Sequence, residues 1–158
     1  TGHYILGDES RLRLAIGNLM DNAIKYTPRG GKVTLEIKTI VKGMLHLRVR
    51  DNGVGISEDD LKSVFMPFYR GTPMLADSSV IHVPGMGQGL PIARQIIRAH
   101  GGLLKVKSRP SVGSAIYFAL PVTSGESYTL PLLEDADMEG ETVNLPSDVD
   151  IDAIWKRK

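Results

Sequence analysis

The 158-residue chain contains no cysteine. That excludes a disulfide framework, a thiolate nucleophile and any cysteine-based metal site. Its four histidines, His3, His46, His82 and His100, are scattered without metal-ligand spacing. Aromatic residues are scarce at 6%, and no basic strand is rich in them. A base-stacking nucleic-acid surface is therefore not expected. No apolar run approaches the roughly 20 residues of a membrane-spanning helix, and no secretory leader opens the chain. These absences leave a cytoplasmic domain with no nucleic-acid partner and no direct membrane contact. The first residue is Thr1 rather than Met, so the chain is expected to be a piece of a longer parent, which can itself be membrane-anchored.

What is present suits one domain with a core: 42% of residues are hydrophobic and 23% charged. The near-neutral total hides an asymmetry. Residues 1–122 carry 16 Lys and Arg against 9 Asp and Glu, and residues 123–158 carry 3 against 9. A basic body suits a polyphosphate or another polyanion. From residue 123 onward periodicity fails and prolines interrupt an acidic stretch, which reads as a tail expected to be partly disordered. Near its end, Ile151, Ile154 and Trp155 would share one side of a single helical turn.

In the body, apolar residues of "DESRLRLAIGNLMDNAIKY" recur at helical spacing from Leu12 to Ile24. "TPRGG" ends that helix. "KVTLEIKTI" and "MLHLRVRD" alternate with period two and read as a hairpin. "SEDDLKSVF" reads as a short helix with Ser57 as its N-cap and Asp60 three residues on. A loop of about 20 residues follows, long enough to suggest a lid. "LPIARQIIRAH" is a helix with Pro91 in its first turn. "LLKVKSR" and "GSAIYFALP" are two further strands. This order predicts one sheet covered on one face by helices, a two-layer α/β sandwich.

Four segments carry chemistry. Asn18 and Asn22 lie four apart, hence on one helix face, where carboxamides among apolar residues are costly unless bonded. They are either a structural pair or oxygen ligands for a hard cation such as Mg²⁺. "RDNGVGI" places Asp51 at a strand end before Gly53 and Gly55. That is either a plain turn or a carboxylate that accepts from an exocyclic amine above a flat glycine floor. "FYRG" follows the short helix and contains Arg70. "GMGQGL" puts Gly85, Gly87 and Gly89 at alternate positions before a helix, either as a flexible loop or as backbone that approaches phosphate. It is not a Walker loop, since no Lys-Ser/Thr pair follows.

Together the four resemble the motif set of sensor histidine kinases. "NLMDNAIKYTP" resembles the N box, "DNGVGI" the first glycine box, "FMPFYRG" the F box, "GMGQGL" the second glycine box, and "GSAIYFALP" the closing strand. The order and spacing agree from about Leu6 to Val122. The resemblance is to the catalytic and ATP-binding domain, in the superfamily shared with gyrase, MutL and a heat-shock chaperone. It implies a Bergerat-type ATP-binding fold, with a mixed sheet of about five strands under three helices. It implies ATP with Mg²⁺ as the cofactors and γ-phosphoryl transfer to a histidine as the reaction. The partners implied are a His-containing helical-hairpin dimerisation domain of the parent kinase and the receiver domain of a response regulator. Residue by residue, Asp51 would take the adenine amino group, Gly55 would lie against the base, and Ser114 would reach it through water. Tyr26 would flank the adenosine. Asn22 would ligate Mg²⁺, with Asn18 on the triphosphate side. Lys25 and Arg70 would hold phosphates, and Gly85, Gly87 and Gly89 would wrap them. Gly53, Ile56 and Leu90 complete the nucleotide-binding set.

Asn18 stands where hydrolytic relatives carry a glutamate base, and a carboxamide cannot take a proton. Transfer to a neutral imidazole needs no such base, which favours a kinase over an ATPase. Gln88 departs from the family's Leu, and Pro91 from its usual small residue. The phosphoacceptor hairpin would precede residue 1, and His3 is a poor substitute for it. A nucleotide-gated interaction module without kinase activity is the alternative reading.

Overall fold

Helix α1 begins where Asp8 caps it: the Asp8 carboxylate accepts from the Arg11 N–H at 3.0 Å, and the helix runs Glu9–Lys25. Its every-third-or-fourth apolar residues, Ala15, Leu19 and Ala23, are buried. A computed structural model describes residues 4–123 apart from 76, 78 and 81. The acidic tail from residue 124, the apolar trio near its end and His3 lie outside the described residues.

Strand β1 (Val33–Val41) and strand β2 (Met44–Asp51) form the expected hairpin. A one-turn helix α2 (Glu58–Leu61) follows, then helix α3 (Gly89–Ala99), strand β3 (Leu103–Arg109) and strand β4 (Gly113–Pro121). The sheet order is β1-β2-β4-β3, and every neighbouring pair is antiparallel. The sandwich is therefore as expected, but its sheet has four antiparallel strands among the described residues rather than about five mixed ones. Tyr4 forms only an isolated bridge to Thr123, at 3.0 and 2.8 Å, which is too short to count as a fifth strand.

The alternation of β2 decides which side is core. Leu47 and Val49 are buried with Ile116, Phe118 and Leu120 of β4 beneath α1 and α3. Leu19, Ile97, Leu120 and Val49 are the largest fully buried side chains, each worth about 1.5–3 kcal/mol of burial. A register shift between Ile37 and Ile40 returns Ile40 to the helix side, opposite Leu45. The helices cover edge strand β1 only in part: Val33 packs against the core, while Leu35 and Ile37 point to the core side yet stay exposed at 41% and 66%.

His100 ties the two long helices. Its Nδ1 meets the Ile96 carbonyl at 2.7 Å, and a carbonyl only accepts, so Nδ1 carries the proton. Nε2 then accepts from the Asp8 N–H at 3.0 Å. The C-terminus of α3 thus holds the capping residue of α1.

Candidate functional site

Period two places Asp51, Ser114 and Ser108 in the last row of the helix-covered side, where the apolar rows of β2, β4 and β3 stop. The Asp51 carboxylate is buried, and its Oδ1 accepts from the Gly53 N–H at 2.9 Å and the Ser114 N–H at 3.1 Å. Oδ2 has no protein partner among the described residues. Burial raises the Asp51 pKa above its ordinary value, and the two amide hydrogen bonds oppose that rise. The result is a fixed carboxylate with one oxygen left to accept from a ligand.

The glycines around it are dictated by the chain's own backbone. A Cβ at Gly53 would land on the Tyr26 carbonyl, one at Gly55 on the Arg109 carbonyl, and one at Gly113 on the Asp51 carbonyl. Gly55 and Gly113 also have φ of +72° and +120°. Val54 N–H donates to Tyr26 O at 3.0 Å and Ser111 N–H to Val54 O at 2.7 Å. Ser108 is a member of this corner that motif reading missed. Its Oγ accepts from Ile56 N–H at 2.8 Å, donates to Gly113 O at 2.9 Å and pairs with Ser114 Oγ at 2.9 Å. The available signal was the strand register, which sets Ser108 directly opposite Ser114. Ser114 serves the corner through its backbone amide as well as its hydroxyl.

Helix α1 runs from this corner to the far end of the site. Tyr26, its C-cap, touches Gly53; Asn22 is one turn back, and its carbonyl accepts from Tyr26 N–H. Asn18 is one turn further and lies 3.9 Å from a Cβ built on Gly89, the first residue of α3. Both carboxamides are half-buried, and neither has a protein partner among the described residues. No hydrogen bond joins the two among the described residues, so neither carboxamide is spent on a structural pairing. No group of three or more His, Cys, Asp and Glu able to hold a metal exists among the described residues. A Mg²⁺ here would have to share its shell with phosphate and water, which is the usual habit of that ion.

Between them lies the loop from Arg70 to Gln88. The Arg70 guanidinium donates to the Val83 carbonyl. Phe68 N–H donates to Gly87 O at 3.1 Å, and a Cβ on Gly87 would press within 2.9 Å of Phe68. Tyr69 donates to Asp60 Oδ1 at 2.5 Å, and Gly71 packs on the same carboxylate. The "FYRG" segment is thereby clamped to α2 on one side and to the second glycine loop on the other. Gly85, at φ +144°, and Gly89 meet nothing closer than ordinary contact. Leu90 is 8% exposed and belongs to the core. Lys25 pairs with Asp21 at 2.6 Å on the exposed side of α1.

Residues 7–124 match the family model described as histidine kinase-, DNA gyrase B-, and HSP90-like ATPase. The chain is 38% identical over 141 residues to the signal transduction histidine-protein kinase/phosphatase MprB of Mycobacterium leprae (strain TN), which covers 87% of this chain and 26% of that protein. Among solved structures, a mycobacterial sensor histidine kinase MprB superposes with TM-score 0.65 at 36% identity, over 75% of this chain and 76% of the other. Full-length ShkA in complex with AMPPNP superposes with TM-score 0.62 at 30% identity, over 78% and 24%. The chain thus spans about a quarter of the curated relative it matches.

Proposed function

The chain belongs to the histidine kinase-, DNA gyrase B-, and HSP90-like ATPase family as an ATP-binding catalytic domain of the sensor histidine kinase type, and from that premise we propose how its residues share the work. Asp51 accepts from the adenine amino group through Oδ2, over the floor of Gly53, Gly55 and Ile56. Tyr26 flanks the adenosine. Asn22, with Asn18 beside it, faces the triphosphate and supplies the protein's oxygen ligand for Mg²⁺, which neutralises phosphate charge when bound. Arg70 exchanges its bond to the Val83 carbonyl for a phosphate oxygen, and Lys25 turns from Asp21 to do likewise. The amides of Gly85, Gly87 and Gly89, with the N-terminus of α3, line the phosphate end.

The reaction proposed is γ-phosphoryl transfer to a histidine on a helical-hairpin domain, and from there to a response regulator's receiver domain. An imidazole nitrogen forms the new N–P bond, the β,γ-bridging P–O bond breaks, and its electron pair leaves with ADP. Asn18 cannot act as a base, and a neutral nitrogen needs none. The contribution of these residues is position and charge neutralisation. The observation that carries the reading is a fixed carboxylate with one unclaimed oxygen beside the C-cap of α1 and two unclaimed carboxamides one and two turns back along that helix.

Calorimetry with ATP, with and without Mg²⁺, tests the site: Asn22→Ala should abolish most of the Mg²⁺ dependence and Asp51→Ala most of the binding. Unchanged binding in both variants would overturn the assignment. Labelled ATP together with a His-containing hairpin tests the reaction. Label on the hairpin supports it, and rapid phosphate release without transfer would move the chain to the hydrolytic branch of the family.

A further inference from the structure

Both chain neighbours of Arg70 rest on one side chain. The Tyr69 hydroxyl donates to Asp60 Oδ1 at 2.5 Å, the length of a charge-assisted O–H···O⁻ bond. A Cβ built on Gly71 would lie 2.9 Å from the Asp60 carboxyl carbon and from Oδ2, so Gly71 packs directly on the same carboxylate. The backbone of Arg70 is thereby fixed on its two sides by Asp60, while its guanidinium donates to the Val83 carbonyl.

The clamp holds a strained turn. Phe68 has φ of +64°, in the left-handed region that a bulky residue rarely adopts. Its side chain is 68% exposed, so packing of the ring does not keep it there. Such a conformation persists where the surroundings over-determine it. Here they supply the Phe68 N–H bond to Gly87 O at 3.1 Å, the Tyr69 N–H bond to Met66 O at 3.2 Å and the Tyr69–Asp60 bond. The last of these is the one that reaches a helix.

Asp60 is itself held. Its N–H donates to Ser57 Oγ at 3.1 Å, and its carbonyl accepts from Ser63 N–H at 2.9 Å. Ser57 follows Ile56, whose N–H donates to Ser108 Oγ at 2.8 Å in the corner that holds Asp51. Hydrogen bonds and short pieces of chain thus run without a gap from the Asp51 corner to Arg70.

We propose that Asp60 is a positioning residue for Arg70: by holding Tyr69 and Gly71, its carboxylate sets the backbone from which the Arg70 side chain leaves Val83 and reaches a phosphate oxygen. The inference rests on the phosphate role proposed for Arg70 and adds a residue that acts through Arg70's neighbours. A guanidinium presented from a fixed backbone has less freedom left to lose on binding than one carried by a loose turn.

ATP calorimetry on the chain and its variants tests this, with thermal unfolding to show that each variant folds. Asp60→Ala should lower ATP affinity about 3- to 5-fold. In an Arg70→Ala background the same substitution should change affinity by less than about 2-fold, because the group it positions is gone. Asp60→Asn keeps an oxygen that accepts from the Tyr69 hydroxyl and should recover most of the affinity, whereas Tyr69→Phe, which removes the donor, should repeat the loss. Should Asp60→Ala fail to fold, Tyr69→Phe with and without Arg70→Ala makes the same comparison. A loss of equal size with and without Arg70 would show a general structural role and overturn the proposal. Full ATP affinity in both Asp60→Ala and Tyr69→Phe, while Arg70→Ala weakens binding, would overturn it and leave the site reading standing. Full affinity in Arg70→Ala itself would overturn the phosphate role of Arg70 and the proposal with it.

Discussion

The proposed adenine end and the proposed phosphate end of the site are built on opposite principles. Around Asp51 the chain is locked against itself: two amides hold one carboxylate oxygen, and Gly53, Gly55 and Gly113 each abut a backbone carbonyl. Among the described residues from Arg70 to Gly89 the ties are mostly local: Leu75 to Ser79, Ser79 to Asp77 and the small Met74–Val80 bridge within the loop, with Arg70 to Val83 across it and Phe68 to Gly87 at its base. Met74, Val80 and Met86 are exposed at 46%, 62% and 72%. A planar base gains from a surface already in place, because nothing need be ordered on binding. In the proposed arrangement a charged triphosphate with its cation would be met by a loop whose bonds can be exchanged. Glycine serves both ends for different reasons, close packing at the first and open space at Gly85 and Gly89.

The sharpest way to break that contrast is to add a methyl group at each end. Gly55→Ala and Gly113→Ala combine a left-handed φ with a clash on backbone, and each should cost about 3 kcal/mol, or about 10 °C or more in unfolding temperature. Gly89→Ala, with only ordinary contact to Asn18, should leave stability unchanged or raise it by about 0.5–1 kcal/mol. Thermal unfolding compares them, and equal losses at both ends would erase the distinction. Any loss of ATP affinity in Gly89→Ala would then report on the approach of phosphate.

Asp51→Asn separates binding from folding at the rigid end. Asn keeps an acceptor for the Gly53 and Ser114 amides but places an amide or a weaker acceptor toward the base. Nucleotide affinity should fall about 10-fold or more, as for a lost hydrogen bond to a charged group. Stability should not fall with it. Because burial raises the folded pKa of Asp51 above the ordinary 3.8, the folded state binds the proton more tightly than the unfolded chain. The stability this contributes is complete below about pH 3.8 and is lost as pH rises through the folded pKa, so the ionised carboxylate is a cost at neutral pH. The variant should match or exceed the parent at pH 7, with its advantage shrinking as the pH falls toward 4. Unfolding curves across that range check it, and a variant markedly less stable at pH 7 would show the charge to be structural.

At the adaptable end, Arg70→Ala should lower ATP affinity about 5- to 10-fold while changing the stability of the empty protein by less than about 1 kcal/mol. A large stability loss would mean that the bond to Val83, rather than phosphate, is its main role. The smallest effect is expected at Gln88. It stands at the N-cap of α3 with no side-chain cap and is half-buried. Gln88→Leu should gain about 1 kcal/mol with ATP affinity intact. A ten-fold loss of affinity without stabilisation would place its carboxamide on a phosphate.

Much of this was legible in the residues. Helical spacing gave α1 and α3, period two gave the four strands, and the Ser57 cap gave the start of α2, whose Oγ accepts from Asp60 N–H at 3.1 Å. The Asp60 carboxylate accepts from the Tyr69 hydroxyl and, among the described residues, makes no bond back to the Ser57 N–H. Helix α2 is shorter than "SEDDLKSVF" implied, since its later residues pass into turns that set up the Phe68–Gly71 clamp. Asn18, Asn22 and Asp51 were singled out from spacing and motif, and the fold sets Asp51, at the end of β2, near the C-cap of the helix that carries the two Asn. Ser108 was not found, because its partners are 52 and 6 residues away and no local pattern records them.

The sequence by itself determined the periods, the caps, the polar residues set against apolar faces and the charge split between body and tail, because each depends on neighbours within a few residues. Only the tertiary structure decided why each glycine is glycine, which oxygen of Asp51 is left for a ligand, and that Leu90 belongs to the core while Ile37 stays exposed. Those outcomes depend on which distant carbonyl, amide or helix arrives at a given point. Gly55 meets Arg109 and Gly113 meets Asp51 only once the strands have paired, and pairing between distant segments leaves no trace in local periodicity.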